Sequence, residues 1–350
     1  MPGRVLVTGI SGFIASHVAL ALLYAGFTVR GSLRDPARAA EVRANLERAG
    51  ADTSRLEFVH LDLLEDTGWD DAMADCRYLQ HIASPLVVRH VTDRDTLLRP
   101  AVEGTRRAIA AALAANVERM VLTSSVAAVT YGHPPDRTEP FTGADWSLVA
   151  DGELNAYAES KTRAELEAWT LVEGAGRRHD LAVVNPAVAL GPLLGPDPGV
   201  SAGLVMRLIN GTMPLAPRLL LNVVDVRDLA ALHVAAMTSP DAAGHRLLAA
   251  APGPTALLDL AGSLAASFPE IANRLPRLAA PDLLVRLVAL FDRDVRSFAA
   301  QLGRATRLDT APAEALLGRP FITARLAAAA TARSLLDLGL ARGGRAEKRG

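Results

Sequence analysis

The chain has 350 residues, of which 50% are hydrophobic and 21% are charged, and its formal net charge is −1. This composition indicates a globular protein with one large domain or two closely associated ones. The near-neutral charge and the 4% aromatic content argue against a nucleic-acid-binding surface. Cys76 is the only cysteine, which excludes an intramolecular disulfide and favours a reducing, cytoplasmic location. We expect no membrane partner and no metal site, since no apolar run spans a bilayer and the eight histidines lack ligand spacing.

The first motif is a glycine-rich turn near the start of the chain. Residues 5–7 form an apolar run of the length of a buried strand, and a helical pattern runs over 16–26. Gly9 and Gly12 lie between them, and Ala15 is a third small residue that lets helix pack on strand. Strand, glycine turn and helix, here with the spacing G-x-x-G-x-x-A, are typical of a dinucleotide site that binds a pyrophosphate at the helix N-terminus.

Strands and helices alternate through the rest of the first two thirds. The predicted strands are 5–7, 27–33, 56–61, 78–83, 119–123, 181–185, 220–224 and 245–250. The predicted helices are 16–26, 37–49, 96–115, 157–173 and 225–237, with further helices within 281–302 and at 324–338. This order predicts an α/β protein with a Rossmann-type, doubly wound parallel sheet and a smaller, mostly helical C-terminal region.

The alternation also predicts how the chain divides. We expect 1–188 and 220–250 to form the nucleotide-binding Rossmann domain, and 189–219 and 251–342 to form a substrate-binding region. Residues 343–350 are polar and glycine-rich, which indicates a disordered tail.

Arg34 follows the second predicted strand, where many NAD-binding folds carry an acidic residue for the ribose 2′-hydroxyl. A guanidinium at this place suits the 2′-phosphate of NADP instead. The alternative is that Arg34 only solvates the end of a strand. The sequence therefore favours NADP(H) as cofactor.

Tyr157 and Lys161 are four residues apart on a predicted helix and share a face. A free phenol has a pKa near 10, and a neighbouring ammonium is expected to lower it. Tyr157 could then give a proton to a carbonyl oxygen or take one from an alcohol. The fifth strand runs into Ser124 and Ser125, and a hydroxyl at the carboxyl end of a strand can hold the reacting oxygen.

The chain resembles the extended short-chain dehydrogenases/reductases, in particular the branch of dihydroflavonol reductases and bacterial aldehyde or ketone reductases. The resemblance covers roughly residues 4–250 and more loosely the remainder. The motifs that carry it are VTGISGFIAS, TVRGSLRDP, LDL, HIASP, PAVEGT, VLTSSVAAV, YAESK, VNPAVALGP and VVDVRDLAALH.

This resemblance implies a catalytic set of Ser125, Tyr157 and Lys161, with Ser124 as the alternative serine. It also implies that Lys161 binds the nicotinamide ribose. The other implied cofactor contacts are Gly9, Ser11, Gly12, Phe13 and Ile14 for the pyrophosphate, Arg34 for the 2′-phosphate, Asp62 and Leu63 for the adenine, Ala83 and Ser84 for the ribose, and Pro186 and Val188 for the nicotinamide.

Two departures argue against transferring the substrates of plant members of the branch. Thr130 stands where plant flavonoid reductases carry an asparagine, and NAYAESK replaces the KNWYCYGK stretch of plant cinnamoyl-CoA reductases. The pocket is expected to be lined by Val126, Ala127, Thr130, Tyr131, Val188 and the 193–206 region. These residues are mostly apolar or small, and Trp146 either joins them or packs on the surface.

We therefore expect an NADPH-dependent reductase that converts aldehydes or ketones to alcohols, with a medium-sized, mainly apolar carbonyl substrate. A nucleotide-sugar epimerase or dehydratase and a hydroxysteroid dehydrogenase remain alternatives on the same fold. A cofactor-sensing regulatory protein without turnover is the alternative from another class. The protein is expected to be a monomer or a homodimer.

Overall fold

The computed structural model describes residues 2–84, 94–134, 136–148, 156–291, 295, 299 and 301–341. The predicted tail at 343–350 lies outside these residues. Within them, no helix combines the length and the apolarity needed to cross a membrane.

The strands and helices of the described residues follow one another in the order expected for an α/β protein. The strands are β1 (Arg4–Val7), β2 (Thr28–Leu33), β3 (Leu56–His60), β4 (Cys76–His81), β5 (Arg119–Thr123), β6 (Leu181–Pro186), β7 (Val188–Leu190), β8 (Leu220–Leu221), β9 (Val223–Asp225), β10 (Arg246–Ala249) and β11 (Thr255–Ala256). The helices are α1 (Phe13–Tyr24), α2 (Ala39–Arg48), α3 (Trp69–Met73), α4 (Asp95–Ala114), α5 (Ala156–Gly174), α6 (Gly199–Ile209), α7 (Val226–Thr238), α8 (Leu257–Ser267), α9 (Asp282–Phe291), α10 (Ala311–Leu317) and α11 (Ala324–Asp337).

Seven strands form one parallel sheet in the order β10-β6-β5-β4-β1-β2-β3. The strand order reverses direction at β1, so the crevice beside β1 and β4 is the expected place for a nucleotide. Strands such as β6 are buried along their whole length, which is why they read as apolar runs rather than as alternating ones. The predicted doubly wound fold is confirmed.

The core on one side of the sheet is filled by α3, α4 and α5. Buried side chains of β1, β4 and β5 pack there against Ile109 of α4 and Trp169 of α5. Gly104 lets α4 approach the chain after β3, since a Cβ there would lie 2.8 Å from Leu63. The packing fixes α5, which carries Tyr157 and Lys161, against the end of β5.

The chain divides into two compact units. The first consists of Met1–Ala187, Arg227–Ala249 and Leu308–Pro320, and the second of Val188–Val226, Ala250–Arg307 and Phe321–Gly350. Apart from single-residue shifts at Val188 and Ala250, the borders differ from the predicted ones at two places. Residues 220–226 fall in the second unit because β8 pairs with β11 and β9 with β7. Residues 308–320 fall in the first unit, where Leu308 bridges Phe141.

Several local predictions need correction. The predicted strand 220–224 is two short strands in different sheets, and β7, β11, α3 and α6 were not predicted. Strands of two or three residues are too short to show a period in the sequence. The first helix begins at Phe13 rather than at residue 16, because Gly12 already has the extended backbone of an N-cap.

Candidate active site

The glycine turn is fixed between the ends of β2 and β4. Gly9 has a φ of +66°, and its N–H donates to Ser32 Oγ at 3.0 Å. The N–H of Ile10 donates to the carbonyl oxygen of Ser32 at 3.1 Å. A Cβ on Gly9 would lie 3.0 Å from the Cβ of Ala83, so a larger residue would push the two segments apart.

The N-terminus of α1 suits an anion. Gly12 is its N-cap, with φ −77° and ψ 158°, and no side chain among the described residues caps it. The N–H groups of the first turn, which begins with Phe13 and Ile14, have no acceptor within the helix. Such groups, together with the helix dipole, bind phosphate. The chain's own residues therefore fit the pyrophosphate of a dinucleotide here.

The predicted adenosine-side residues follow the neighbouring strands. Arg34 comes directly after β2 and is exposed, two residues beyond the Ser32 that holds the glycine turn. Asp62 follows β3, and its Oδ1 accepts the N–H of Leu64 at 2.8 Å. Leu63 is half-buried and packs against α4 at Gly104.

A buried hydroxyl shapes the chain after β4, where Ala83 and Ser84 lie. Thr8 Oγ1 accepts the N–H groups of Ile82 at 2.9 Å and Ala83 at 3.0 Å. Both of its lone pairs are then used, so its hydroxyl donates to His81 Nδ1 at 3.0 Å. Burial, aided by the charge of Lys161, lowers the pKa of His81 to about 3, so the ring is neutral and structural.

Ser125, Tyr157 and Lys161 come together where β5 ends and α5 begins. The hydroxyl groups of Ser125 and Tyr157 are hydrogen bonded, and Ser125 Oγ also accepts the N–H of Ala127 at 3.1 Å. Lys161 is 8% exposed, and its Nζ donates to the carbonyl oxygen of Thr123 at 3.5 Å. The face shared by Tyr157 and Lys161 is thus turned toward the carboxyl end of β5.

The two ionisable groups of this set have shifted pKa values. Burial raises the pKa of Tyr157, the hydrogen bond from Ser125 opposes this, and Tyr131 adds to it. The prediction that Lys161 lowers the pKa of Tyr157 is therefore wrong, because burial dominates and the opposing group is Ser125. Burial lowers the pKa of Lys161 to about 8, and the charge of Glu165 opposes this shift.

The structure distinguishes the two neighbouring serines. Ser124 Oγ donates to Glu165 Oε2 at 2.6 Å, about two helical turns along α5 from Tyr157. Ser125 is the serine bonded to Tyr157. The geometry therefore favours Ser125 over Ser124 as partner of the phenol.

A cleft runs along the carboxyl ends of β4 and β5 in the first unit. It is lined by Ala83, Ser84, Thr105, Leu122, Thr123, Ser124, Lys161, Ala164 and Glu165. The predicted ribose-side residues Ala83 and Ser84 thus share one cleft with Lys161.

The residues predicted to line a substrate pocket are divided between the first and the second unit. Ala127 is buried, and the hydroxyl of Thr130 donates to the carbonyl oxygen of Val126 at 3.0 Å. Pro186 ends β6 in the first unit, whereas Val188 begins β7 in the second, which also contains 193–206. The guanidinium of Arg246 lies 3.7 Å from the ring centroid of Trp146, which agrees with the packing alternative for this residue.

Sequence reasoning missed a set of buried polar residues behind the cleft. Glu165 and Arg246 form an ion pair, to which Asn185 also donates a hydrogen bond. His233 donates from Nδ1 to Gln80 Oε1 at 2.9 Å, because that oxygen can only accept. The one usable signal was Glu165 itself, four residues after Lys161 and on the same helix face.

The chain is similar to known proteins over about 70% of its length. The family model described as "NAD dependent epimerase/dehydratase family" matches residues 5–249. Cinnamoyl-CoA reductase CAD2 of Medicago truncatula is 35% identical over 248 residues, which are 70% of this chain and 75% of that protein. Tetraketide alpha-pyrone reductase 2 of Arabidopsis thaliana is 34% identical over 248 residues, which are 69% of this chain and 75% of that protein.

A solved structure extends the similarity to nearly the whole chain. The yeast methylglyoxal/isovaleraldehyde reductase Gre2, complexed with NADPH, superimposes with a TM-score of 0.78 at 26% identity. The match covers 96% of this chain and 99% of the yeast protein. The chain belongs to the NAD-dependent epimerase/dehydratase family, within the extended short-chain dehydrogenases/reductases.

Proposed function

We propose that the protein is an NADPH-dependent reductase that converts aldehydes or ketones to alcohols, with Tyr157 as the proton donor. The observation that carries the proposal is the hydrogen bond between buried Ser125 and half-buried Tyr157, on the helix that also carries Lys161. The two plant relatives named above are reductases, and the yeast structure holds NADPH, which supports the same reaction class.

The reduction needs an acid at the carbonyl oxygen. Because burial raises the pKa of Tyr157, the phenol holds its proton at neutral pH and can give it to that oxygen. The Ser125 hydroxyl lies beside the phenol and can stabilise the phenolate that remains. Lys161 lies one helical turn after Tyr157 on α5 and is suited to bind ribose hydroxyls.

NADPH would supply the hydride when bound. The first-turn amides of α1 would hold its pyrophosphate, and Arg34 its 2′-phosphate. Asp62 and Leu63 would lie at the adenine, and Ala83 and Ser84 at the ribose. Pro186 and Val188 would flank the nicotinamide. Apart from Val188, these cofactor residues belong to the first unit, and we assign substrate selection mainly to the second.

The substrate we propose is a medium-sized, mainly apolar aldehyde or ketone. The predicted lining at Val126, Ala127, Val188 and 193–206 is mostly apolar or small. Burying apolar surface there contributes about 25 cal/mol per Å², whereas desolvating an unpaired diphosphate would be strongly unfavourable. The single cysteine further supports a cytoplasmic location.

The test is oxidation of NADPH, with NADH in parallel, over a panel of aryl and alkyl aldehydes and ketones. UDP- and GDP-sugars form the comparison set. We expect kcat/KM to be highest for an aryl carbonyl with NADPH. Efficient conversion of a nucleotide sugar, with the aryl carbonyls inert, would replace the reductase by an epimerase or dehydratase.

A further inference from the structure

A buried ion pair stands behind the proposed catalytic set. Glu165 lies one helical turn after Lys161 on α5, and its side chain is 0% exposed. Arg246 of β10 is 6% exposed, and its Nε donates to Glu165 Oε1 at 2.5 Å. Desolvation cancels much of the attraction within such a pair, so stability alone does not account for it.

The carboxylate of Glu165 connects the ends of two strands. Its Oε2 accepts from Ser124 Oγ at 2.6 Å and from Asn185 Nδ2 at 2.9 Å. Asn185 Nδ2 also donates to the carbonyl oxygen of Ser125 at 3.2 Å. The backbone of Ser125 is therefore held on both sides by groups that Glu165 fixes.

The negative charge of Glu165 also stabilises the protonated form of Lys161. Both residues line the same cleft. Among the residues that the structure describes, the other ionisable groups near Lys161 are Tyr157 on its own helix, His81 from β4 and, beyond Glu165, Arg246 from β10. His81 is neutral, since burial lowers its pKa to about 3. Glu165 is the group that raises the pKa of Lys161 against the effect of burial.

We propose that Glu165 is a positioning residue of this site, which acts through Lys161 and the Ser124–Ser125 strand end rather than on the substrate. Arg246 holds Glu165 in place and donates from Nη1 to the carbonyl oxygen of Gly143 at 3.0 Å. One buried pair thus ties α5, β10 and the loop before Trp146 together. The effect on turnover rests on the proposed function, whereas the effect on Lys161 does not.

The charge of Lys161 can be measured directly, because the chain has two lysines, Lys161 and Lys348. NMR of protein labelled with ¹³C at the lysine ε-carbon gives one signal for each, and Lys348→Arg assigns them. In Glu165→Gln we expect the titration midpoint of Lys161 to fall by about one pH unit or more, since removing a close opposite charge has this effect. An unchanged midpoint would overturn the inference.

Glu159→Gln is the matched control. Glu159 lies on the same helix, is 1% exposed, and pairs with Arg94 and with Arg163, the latter at 2.8 Å. Its loss should disturb α5 to a similar degree and leave the Lys161 midpoint in place. If the Lys161 midpoint fell equally in both variants, Glu165 would act on Lys161 only by stabilising helix α5.

Glu165→Gln leaves the buried Arg246 without its charge partner, and this variant could fail to fold. A second variant keeps the inference testable in that case. Glu165→Gln/Arg246→Met removes both charges, which proteins tolerate better than removal of one, and should still lower the Lys161 midpoint. With a reducible carbonyl and NADPH, we expect kcat to fall about tenfold or more with little change in KM for the carbonyl. If the parent reduces no carbonyl but the midpoint falls, the proposed function fails and the inference stands. The converse result refutes the inference alone.

Discussion

The hydroxyl group of Ser125 is hydrogen bonded to that of Tyr157, at the meeting point of β5 and α5. Its neighbour Ser124 is bonded instead to Glu165. Adjacent residues of one sequence motif therefore face different partners. Ser125 therefore contacts the proposed proton donor Tyr157, whereas Ser124 belongs to the buried hydrogen-bond network around Glu165.

The first prediction tests this separation. Ser125→Ala should lower kcat by about 10²-fold or more, because it removes a donor that stabilises the phenolate. Ser124→Ala should lower the unfolding free energy by about 1–3 kcal/mol, the cost of an unsatisfied bond at buried Glu165, with a smaller effect on kcat. Steady-state kinetics and denaturant unfolding of both variants give the comparison. The reverse pattern would make Ser124 the partner of the reaction.

The second prediction concerns the proton donor. Tyr157→Phe keeps the ring and removes the hydroxyl, so kcat should fall by about 10²–10⁴-fold, the usual contribution of general acid catalysis. Affinity for NADPH should stay near that of the parent, measured by fluorescence titration. Tyr78→Phe, in the strand β4, is the control and should keep parental turnover. Parental turnover by Tyr157→Phe would remove Tyr157 from the mechanism.

The sequence predicted those parts of the site that local patterns encode. Tyr157 and Lys161 share a helix face at a spacing of four, and the glycine turn follows directly from an apolar strand. The sheet was predictable because its strands are fully buried and read as apolar runs. The short strands β8 and β9 could not be separated, since each carries too few residues to show a period.

The support behind the site was not predictable in the same way. Arg246 and Glu165 are 81 residues apart and meet only because β10 joins the sheet next to β6. The place of Trp146 depends on the same contact, since its ring packs on the Arg246 guanidinium. The pKa of Tyr157 was expected to fall because burial of the phenol cannot be read from spacing.

The third prediction concerns cofactor choice. Arg34 is exposed directly after β2, two residues beyond the Ser32 that holds the glycine turn. The parent should prefer NADPH to NADH, and Arg34→Ala should lose about tenfold or more in NADPH affinity, since a charge-assisted hydrogen bond is worth about 1.5–3 kcal/mol. NADH affinity should change little. Arg55→Ala is the control, because Arg55 precedes β3 and donates to Gly26 at 2.7 Å. Equal parental affinity for the two cofactors would contradict the prediction.

The fourth prediction concerns pH and stability. Burial lowers the pKa of His81 and of His233 to about 3 from an ordinary value of 6.5. Between these values the unfolded chain binds more protons than the folded one, so stability falls as pH drops from 6.5 toward 3. Each histidine adds a slope approaching about 1.4 kcal/mol per pH unit. Burial lowers the pKa of Lys161 only to about 8, so this lysine is protonated in the folded and the unfolded chain throughout this pH range and adds no slope.

His233→Gln should flatten this dependence. A glutamine amide can still donate to Gln80 and accept from Thr123, the two partners of the His233 ring, but it does not titrate. Urea unfolding at several pH values between 4 and 7 measures the slope. His60→Gln is the control, at an exposed position at the end of β3. A slope as steep in His233→Gln as in the parent would show that His233 does not titrate on unfolding.

The last prediction concerns Gly31, which the sequence did not mark. A Cβ there would lie 2.4 Å from Ile10 Cδ1 and 3.0 Å from Ile10 Cβ, so rotation of the Ile10 side chain alone cannot relieve the clash. Ile10 belongs to the glycine turn, which Ser32 holds by its carbonyl oxygen. Gly31→Ala should therefore destabilise the fold by about 1–3 kcal/mol, as overpacking does, and weaken NADPH binding by displacing the turn. Gly262→Ala in α8 is the control, because a Cβ there meets no atom within 4 Å and alanine favours a helix. Thermal unfolding and NADPH titration should separate the two variants, and parental values for Gly31→Ala in both would show that the turn does not depend on this packing.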